Sequence, residues 1–247
     1  MTVGAFIVAR LSSSRLPRKA MMDILGRPMI ELMVERVRAA KELDKVAIAT
    51  STDPSDDDLE ALARRIGVDC FRGSLESVNA RLAGAAEAFG CDVIVELLGD
   101  NPLVHSDMID ATVALRREGG YDYAATVTKE FPVGPETRLF PVGVRVQAYS
   151  LAAARRYVEF PQAEDKGTTA YIFENPGRFK VGYLEAKGRW EGLNRPRLTF
   201  AVNYKRNFDL IRSIFERWYP SDADFPLAKA LDFLDEEKQM YLLMQQG

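Results

Sequence analysis

Residues 3–19 read VGAFIVARLSSSRLPRK, an apolar run followed at once by a polar and strongly cationic one. The apolar run Val3–Ala9 has the length of one buried β-strand and is far too short to span a membrane. The stretch after it, which we call the Arg10–Lys19 loop, carries four cations, three serines and no acidic residue. Open α/β sheets bind their ligands beyond the carboxyl ends of their strands, so this loop is the first place to expect a site.

Helical and strand-like patterns alternate through the first half of the chain. Apolar residues recur at helical spacing from Met29 to Val37, and Lys45–Thr50 is an apolar run of strand length. Four β-then-α units predict the α/β class, with a mainly parallel sheet covered by helices on both faces, in one domain over residues 1–247. The remaining predicted elements of this half are a helix from Ser55 to Gly67, a strand Val68–Phe71, a helix Glu76–Phe89, a strand Val93–Leu98 and a helix from Ser106.

The second half of the chain is less regular. A long loop, Val127–Val142, is punctuated by three prolines and one glycine, which makes it unusual for a routine connection and suggests a lid or an interface arm. The predicted elements after it are strands at Gly143–Tyr149, Lys180–Leu184 and Arg197–Val202, and helices at Leu151–Tyr157, Phe208–Trp218 and Pro226–Glu237.

The amino-acid composition excludes several classes of protein. The 247 residues include 33 Lys and Arg against 36 Asp and Glu, a net charge of −3, which argues against a dedicated nucleic-acid binder. Two isolated cysteines, Cys70 and Cys91, and the single His105 exclude a zinc cluster or a disulfide scaffold. This cysteine usage fits a cytoplasmic protein, and no apolar run predicts a membrane segment.

The Arg10–Lys19 loop has the composition of a triphosphate cradle. Serine hydroxyls and backbone N–H groups can hold phosphate oxygens, and Arg and Lys side chains can neutralise them. The alternative is a solvated serine-rich loop whose cations face water. The stretch contains neither the glycine pattern of dinucleotide-binding folds nor that of the P-loop.

A second polar segment, Gly99–Pro102, follows the most apolar strand of the chain. The carboxylate of Asp100 at such a strand end can hold Mg²⁺, which takes oxygen ligands and shares them with substrate phosphates. A plain turn is the alternative, because all four residue types favour turns. The cationic loop at another strand end of the same sheet favours the metal site.

Three blocks of this sequence resemble one known family. ARLSSSRLPRKAMMDILGRPMI at 9–30, FRGS at 71–74 and GDNPLV at 99–104 look like the cytidylyltransferases that activate sugars. The nearest branch is the spore-coat polysaccharide and acylneuraminate group, related to the enzyme that makes CMP-Kdo. The order and spacing of the blocks agree over residues 1–125, and a weaker likeness continues to about residue 220.

The resemblance implies the nucleotide-diphospho-sugar transferase fold, which is GT-A-like and of Rossmann type, in a homodimer that acts in polysaccharide biosynthesis. It implies that CTP and a sugar acid or sugar phosphate yield an activated sugar and pyrophosphate, with Mg²⁺ as cofactor. The 127–185 stretch would be an acceptor-side or dimerisation subregion. By the same likeness Ala9 and Arg10 lie against the base, and Lys19, Arg15 and Asp100 are catalytic. The residues expected to bind the triphosphate are Arg10, Ser12, Ser13, Ser14, Arg15 and Lys19.

Departures from the family pattern concern charge. Arg18 stands where a glycine is usual, Glu96 stands where arginine is frequent, and Arg145 stands where the family tends to have an acid. The second expected metal ligand, usually Asp, is Asn203, whose amide oxygen can ligate Mg²⁺ without contributing charge. Glu164–Phe173 corresponds to an acceptor-side helix of the family but lacks its usual Glu-His pair.

Two hypotheses fit these departures. In the first, the enzyme takes an anionic sugar-like acceptor recognised by Arg145, Lys205 and Arg206. In the second, the chain is a catalytically silent nucleotide-binding homologue that acts as a partner or regulator. The choice between CTP and another nucleoside triphosphate such as GTP stays open. His105 has two interpretations, as a group near the Asp100 site or as a helix-capping residue.

Overall fold

A seven-stranded mixed sheet forms the centre of the molecule. The computed structural model describes residues 1–158 and 177–236. The strands run in the order β5-β4-β1-β6-β8-β7-β9, and a separate hairpin consists of β2 and β3. The strand bounds are β1 Val3–Val8, β2 Asp23–Ile24, β3 Arg27–Pro28, β4 Lys45–Ser51, β5 Asp69–Gly73, β6 Val93–Leu98, β7 Tyr123–Thr126, β8 Val146–Ser150 and β9 Val181–Leu184.

The four strands that the first half contributes to the centre of the main sheet are parallel, in agreement with the predicted mainly parallel sheet. β1 pairs in parallel with β4 and β6, and β4 pairs in parallel with β5. β8 runs antiparallel to both β6 and β7, and β9 is parallel to β7. The carboxyl ends of β1, β4, β5 and β6 therefore lie at one edge of the sheet, and the amino end of β8 joins them there.

Helices cover both faces of this sheet. The sheet has a hydrophobic core on each face. In β1, Ala5 and Ile7 pack into the core on one face, and Phe6 packs into the core on the other. The first core includes α1, α2, α4, α6 and α7, whereas α3 and α5 cover the second. The helix bounds are α1 Met29–Arg38, α2 Asp57–Arg65, α3 Val78–Ala88, α4 Ser106–Gly119, α5 Leu151–Val158, α6 Lys205–Trp218 and α7 Leu227–Glu236. Among the described residues, no helix is long and apolar enough to cross a membrane.

The predicted strand Arg197–Val202 is wrong. Among the described residues this segment pairs with another only at an isolated bridge between Thr199 and Val142, and it forms no strand of the sheet. Gly143 allows the two segments to approach, since its φ is +93° and a Cβ there would lie 2.1 Å from the backbone nitrogen of Ala201. The segment continues past the sheet edge, where the Val202 N–H donates to the carbonyl of Asp100 at 2.8 Å.

Other predictions differ from the structure at element ends. The strand expected at Gly143–Tyr149 begins three residues later, at Val146, and α3 begins at Val78 rather than Glu76. Strand β7 was not predicted. The helix expected at Pro226–Glu237 is α7 over its described part. The Glu164–Phe173 stretch lies outside the described residues, as does part of the 127–185 subregion.

Candidate functional site

The carboxyl ends of β1 and β6 lie side by side at the sheet edge. Val8 pairs with Leu98 in the register, and the Gly99 N–H donates to the Val8 carbonyl at 2.8 Å. A Cβ on Gly99 would lie 2.9 Å from that carbonyl oxygen, closer than side chains approach. The absence of a side chain at Gly99 therefore lets Asp100 leave β6 directly beside the chain leaving β1.

Lys19 and Asp100 meet across this gap. Lys19 Nζ lies 2.6 Å from Asp100 Oδ2 and donates a second hydrogen bond to the Val202 carbonyl at 3.0 Å. The Lys19 and Asp100 side chains are only 14% and 22% exposed, so the pair is partly shielded from water. The cationic loop and the carboxylate, which the sequence analysis expects in one site, are therefore in direct contact.

A cavity of about 330 Å³ opens next to this ion pair. Its lining comes from the ends of β1 and β6 and from the Arg10–Lys19 loop, together with Val78 at the start of α3. Every residue predicted to contact base or triphosphate is in its lining. The lining residues are Val8, Ala9, Arg10, Ser12, Ser13, Ser14, Arg15, Lys19, Ala20, Val78, Leu98, Gly99 and Asp100.

The Arg10–Lys19 loop is closed at its neck by one backbone hydrogen bond. The Arg18 N–H donates to the Leu11 carbonyl at 3.0 Å. Arg18 takes the left-handed conformation, with φ at 57°, which explains why glycine suits this position. Its guanidinium points away from the cavity and lies 2.6 Å from Asp58 at the start of α2. Arg18 is therefore a cation of the loop that does not line the cavity.

Arg10 lines the cavity and contacts the loop that precedes α3. Its guanidinium donates to the Leu75 carbonyl at 2.8 Å. The loop that carries Leu75 is in turn held by the buried Arg81, which donates to the Ser74 carbonyl at 2.9 Å. The predicted base contacts, Ala9 and Arg10, thus lie where β1, this loop and α3 converge.

Asn203 adjoins the site through the backbone. It follows Val202, which bonds to both Asp100 and Lys19, but it is not among the cavity-lining residues. The next residue, Tyr204, is 44% exposed, and the guanidinium of Arg15 lies 6.0 Å from its ring centroid. The chain entering α6 therefore contacts both the ion pair and the loop.

The three candidate acceptor residues lie in different settings. Arg145 immediately precedes β8, whose Val146 pairs with Leu97, so Arg145 lies at the same sheet edge as the cavity. Its Nη1 is 3.8 Å from Glu130, and its buried Nε has no hydrogen-bond partner among residues 1–158 and 177–236. Lys205 forms an ion pair with Asp209, one turn along α6.

Arg206, the third candidate, lies in the first turn of α6. Its guanidinium is 5.2 Å from the ring centroid of Tyr204. The start of α6 therefore carries two cations and one aromatic ring, shortly after Val202, whose backbone bonds to Asp100. Neither Lys205 nor Arg206 lines the cavity described above.

His105 is a capping residue. Its Nδ1 accepts the N–H of Asp107 at 3.1 Å in the first turn of α4, and its Nε2 lies 2.8 Å from the Asp224 carbonyl.

The two cysteines are free thiols, and burial raises the pKa of Cys70 to about 11 and that of Cys91 above its usual value. These thiols are therefore protonated at neutral pH and do not supply a nucleophile.

Sequence reasoning missed three contributors to the site. The Val202 carbonyl is a backbone group, and no side-chain pattern signals it. No sequence pattern distinguishes Tyr204 from the other aromatic residues of the chain. Asp56 was read only as part of the acidic start of a helix, although it is fully buried and accepts the Leu11 N–H at 2.7 Å.

Comparison with known proteins now identifies the family. Residues 5–246 match the family model described as cytidylyltransferase. The chain belongs to the cytidylyltransferase family. The match covers nearly the whole chain, so the resemblance carried by the three sequence blocks is confirmed. The general activity of the family is nucleotidyl transfer.

Two relatives of this cytidylyltransferase match it over most of their length. It is 30% identical over 240 residues to the uncharacterized protein MJ1063 of Methanocaldococcus jannaschii, covering 97% of this chain and 93% of that one. It is 30% identical over 215 residues to the spore coat polysaccharide biosynthesis protein SpsF of Bacillus subtilis, covering 85% of each chain.

Solved structures agree on the fold. A cytidylyltransferase from Leptospira borgpetersenii has a TM-score of 0.85 at 22% identity, covering 97% of this chain and 96% of that one. A CMP:2-keto-3-deoxy-manno-octonic acid synthetase complexed with CTP has a TM-score of 0.63 at 18% identity, covering 88% and 99%. This cytidylyltransferase has the nucleotide-diphospho-sugar transferase fold.

Proposed function

We propose that this protein transfers CMP from CTP to an anionic sugar acid or sugar phosphate and releases pyrophosphate. The observation that supports the proposal most directly is the Lys19–Asp100 pair beside a cavity lined by three serines and three cations. A cavity of this composition suits a polyphosphate, because hydroxyls donate to its oxygens and cations offset its charge.

In the proposed complex the triphosphate lies along the Arg10–Lys19 loop. Ser12, Ser13 and Ser14 donate hydrogen bonds to phosphate oxygens, and Arg15 and Lys19 offset the charge that develops on them. Ala9 and Arg10 lie against the base. Support comes from the shared cavity, where all of these residues lie together at the end of β1.

The proposed cofactor is Mg²⁺, with Asp100 and Asn203 as its protein ligands. The donor set fits, since a carboxylate oxygen and an amide oxygen are hard ligands and Mg²⁺ commonly combines one or two carboxylates with substrate phosphates and water. When bound, Mg²⁺ supplies positive charge to the reacting phosphates. The described residues hold no cluster of three or more His, Cys, Asp or Glu side chains suited to a metal ion, so we expect the metal to bind together with the nucleotide.

The proposed reaction needs no nucleophilic side chain. An acceptor oxygen bonds to the α-phosphorus of CTP, the bond from that phosphorus to the oxygen bridging the α- and β-phosphates breaks, and pyrophosphate leaves with that oxygen. A hydroxyl acceptor releases its proton to solvent, whereas a phosphate acceptor reacts as its anion. Charge accumulates on the equatorial and leaving oxygens, which Lys19 and Arg15 would contact. Positioning of the acceptor and electrostatic stabilisation then supply the rate.

Arg145 is the best supported candidate for the anionic group of the acceptor. It is only 17% exposed, its buried Nε has no hydrogen-bond partner in the described parts of the chain, and its nearest acid, Glu130, is 3.8 Å away. A buried donor without an acceptor costs free energy, which an incoming carboxylate or phosphate would recover. Lys205 and Arg206 are proposed as secondary contacts at the start of α6.

The proposal extends to the setting of the protein. We propose that it acts in the cytoplasm, since both cysteines are free thiols as in reducing compartments, and that it serves polysaccharide biosynthesis as SpsF does by its name. We also propose a homodimer with the 127–185 stretch at its interface. A monomer in light scattering at micromolar concentration would contradict the dimer.

The decisive experiment is a turnover assay. Purified protein is incubated with each nucleoside triphosphate, Mg²⁺ and a panel of sugar acids and sugar phosphates, and pyrophosphate release is measured. Release that requires CTP and one class of acceptor supports the proposal. Calorimetric binding of CTP without product from a broad panel would favour the alternative, a silent nucleotide-binding partner or regulator.

A further inference from the structure

Asp56, at the start of α2, lies close to the cavity but does not line it. It is fully buried, and its carboxylate is surrounded by donors from two other segments. Oδ1 accepts the Leu11 N–H at 2.7 Å, and Oδ2 accepts the Ser51 N–H at 3.2 Å and a hydrogen bond from the Ser51 hydroxyl. A buried carboxylate with several donors is a rigid connection between the segments that supply them.

The segment held by Asp56 is the neck of the Arg10–Lys19 loop. Leu11 is buried, its N–H bonds to Asp56, and its carbonyl accepts the Arg18 N–H at 3.0 Å. The cavity-lining serines and Arg15 lie between these two neck residues. The position of the neck therefore fixes where the phosphate-facing groups stand relative to β1 and β4.

Charge gives this connection a second role. The loop carries four cations and no acid of its own, so its side chains repel one another. Asp58 lies 2.6 Å from Arg18 on the outside of the loop, and Asp100 lies 2.6 Å from Lys19 on the inside. Asp56 adds a third acid, two residues before Asp58, and of these three acids it is the one whose carboxylate accepts a backbone N–H of the loop.

We propose that Asp56 is a positioning residue that preorganises the Arg10–Lys19 loop for a triphosphate. The inference rests on the proposed function for the identity of the ligand, whereas the loop ordering itself does not. Asp56 contacts neither the cavity nor the reacting atoms, so it acts through Leu11 and the loop backbone. Holding the loop in its binding geometry removes the ordering cost that CTP would otherwise meet.

The test compares Asp56→Asn with Asp57→Asn. Asp57 is the next residue of the same helix start, and its carboxylate lies 2.6 Å from Arg72, away from the loop. Loop order is measured by limited trypsin cleavage after Arg15, and cleavage after Arg64 on the exposed side of α2 reports general unfolding. We expect Asp56→Asn to speed cleavage after Arg15 roughly tenfold relative to cleavage after Arg64.

CTP binding provides the second readout. By calorimetry with Mg²⁺, Asp56→Asn should weaken CTP binding roughly tenfold, with Asp57→Asn within about twofold of wild type. Equal acceleration at Arg15 and Arg64, or unchanged CTP affinity with an ordered loop, would mean that Asp56 only stabilises the fold and would overturn the inference. If the wild-type protein binds no CTP, the proposed function fails while the cleavage ratio still decides the loop ordering.

A measurement on the wild-type protein covers the case in which Asp56→Asn does not fold. Amide hydrogen exchange should protect Leu11 at least about 100-fold more than Ser13 and Ser14, after correction for intrinsic rates. Similar protection along the loop would show that Asp56 does not hold its neck, and the inference would be wrong.

Discussion

Lys19 and Asp100 are 81 positions apart in the chain, yet Lys19 Nζ and Asp100 Oδ2 lie 2.6 Å apart beside the cavity. Each side chain comes from a loop that leaves a neighbouring parallel strand, so the sheet register brings them together. Both side chains line the cavity, and their opposite charges offset each other there. In the proposed complex the lysine would contact phosphate and the carboxylate would hold Mg²⁺.

Loss of either charge should lower activity strongly. We expect Lys19→Ala and Asp100→Ala each to reduce kcat/KM for CTP by about 100-fold or more, because each removes a group that offsets or organises transition-state charge. The double variant should lose less than the sum of the two effects, since the residues act on the same phosphates. Pyrophosphate release under matched conditions measures all three variants.

Arg18 offers a matched control for the lysine. It belongs to the same loop but pairs with Asp58 outside the cavity. Arg18→Ala should therefore stay within about threefold of wild type, as expected for the loss of an exposed pair away from the reacting groups. If Arg18→Ala lost as much activity as Lys19→Ala, general loop charge rather than the Lys19–Asp100 geometry would explain the effect.

Asn203 makes the metal requirement testable. We expect Asn203→Asp to lower the Mg²⁺ concentration for half-maximal activity, because a second carboxylate adds charge to the ligand set. Titration of Mg²⁺ at saturating CTP measures this change, and EDTA should abolish turnover in both proteins. Asn207→Asp, four residues further on in α6, is the control and should leave the Mg²⁺ requirement unchanged. An unchanged requirement in Asn203→Asp would remove Asn203 from the site.

Three of the strands that the sequence predicts, β1, β4 and β6, share one property. They are covered by helices on both faces, so most of their residues are apolar and each run is recognisable in the sequence. β7 has only four residues, two of them alanine, which has weak strand preference. Pairing with β8 and β9 determines the conformation of β7, so residues distant in the sequence decide that this segment is a strand.

The residues of the site also fall into two groups, those that a local sequence pattern indicates and those that only tertiary packing brings to the site. The Arg10–Lys19 loop and Asp100 were found because their chemistry follows strand ends, where parallel sheets bind ligands. The Val202 carbonyl and the bond between Asp56 and Leu11 depend on tertiary packing, which no spacing along the chain encodes. The predicted strand at Arg197–Val202 failed for a related reason, because its extended backbone bonds to Asp100 and Val142 instead of joining the sheet.

The hairpin turn between β2 and β3 contains a strained residue. Leu25 and Gly26 both have positive φ, 55° and 76°, a geometry that favours Asn-Gly. Leu25 is 42% exposed, so little packing offsets the strain. Leu25→Asn should stabilise the protein by about 0.5–1 kcal/mol in chemical denaturation. The exposed Leu75, which lacks positive φ, is the control, and a similar gain in Leu75→Asn would point to lost surface hydrophobicity instead.

Arg36 is buried in α1 and connects three segments. Its guanidinium donates to the carbonyls of Val104, Ala223 and Phe225 at 3.0–3.2 Å. Burial lowers its pKa to about 10, with Asp224 opposing that effect, so it is charged at neutral pH. Arg36→Met should cost about 3 kcal/mol or more in the free energy of unfolding, because those carbonyls lose their donor.

Arg38 provides the comparison on the same helix. Its exposed guanidinium contacts the carbonyls of Ile66 and Gly67 from the solvent side. Arg38→Met should therefore cost less than about 1 kcal/mol in urea denaturation. Equal losses for Arg36→Met and Arg38→Met would contradict the buried network as the source of stability.

Glu35 should make stability depend on pH at both ends of the range. Burial raises its pKa, but hydrogen bonds from Arg27 and the Tyr219 hydroxyl outweigh burial and hold the pKa below 4.5. A lowered carboxylate pKa stabilises the fold above the unfolded value, and that contribution is lost as the pH falls through the folded value. Burial and the bond to Glu35 raise the pKa of Tyr219 to about 12, so its contribution fades as the pH rises from 10 towards 12.

Glu35→Gln tests this dependence. The difference in Tm between wild type and Glu35→Gln should be largest between about pH 5 and pH 9, and it should shrink below about pH 4 and above about pH 10. Glu87→Gln removes an exposed partner of Arg155 and should change Tm by only about 1–2 °C at any pH. A Glu35→Gln difference that stays constant on acidification would show that Glu35 does not draw stability from its charge.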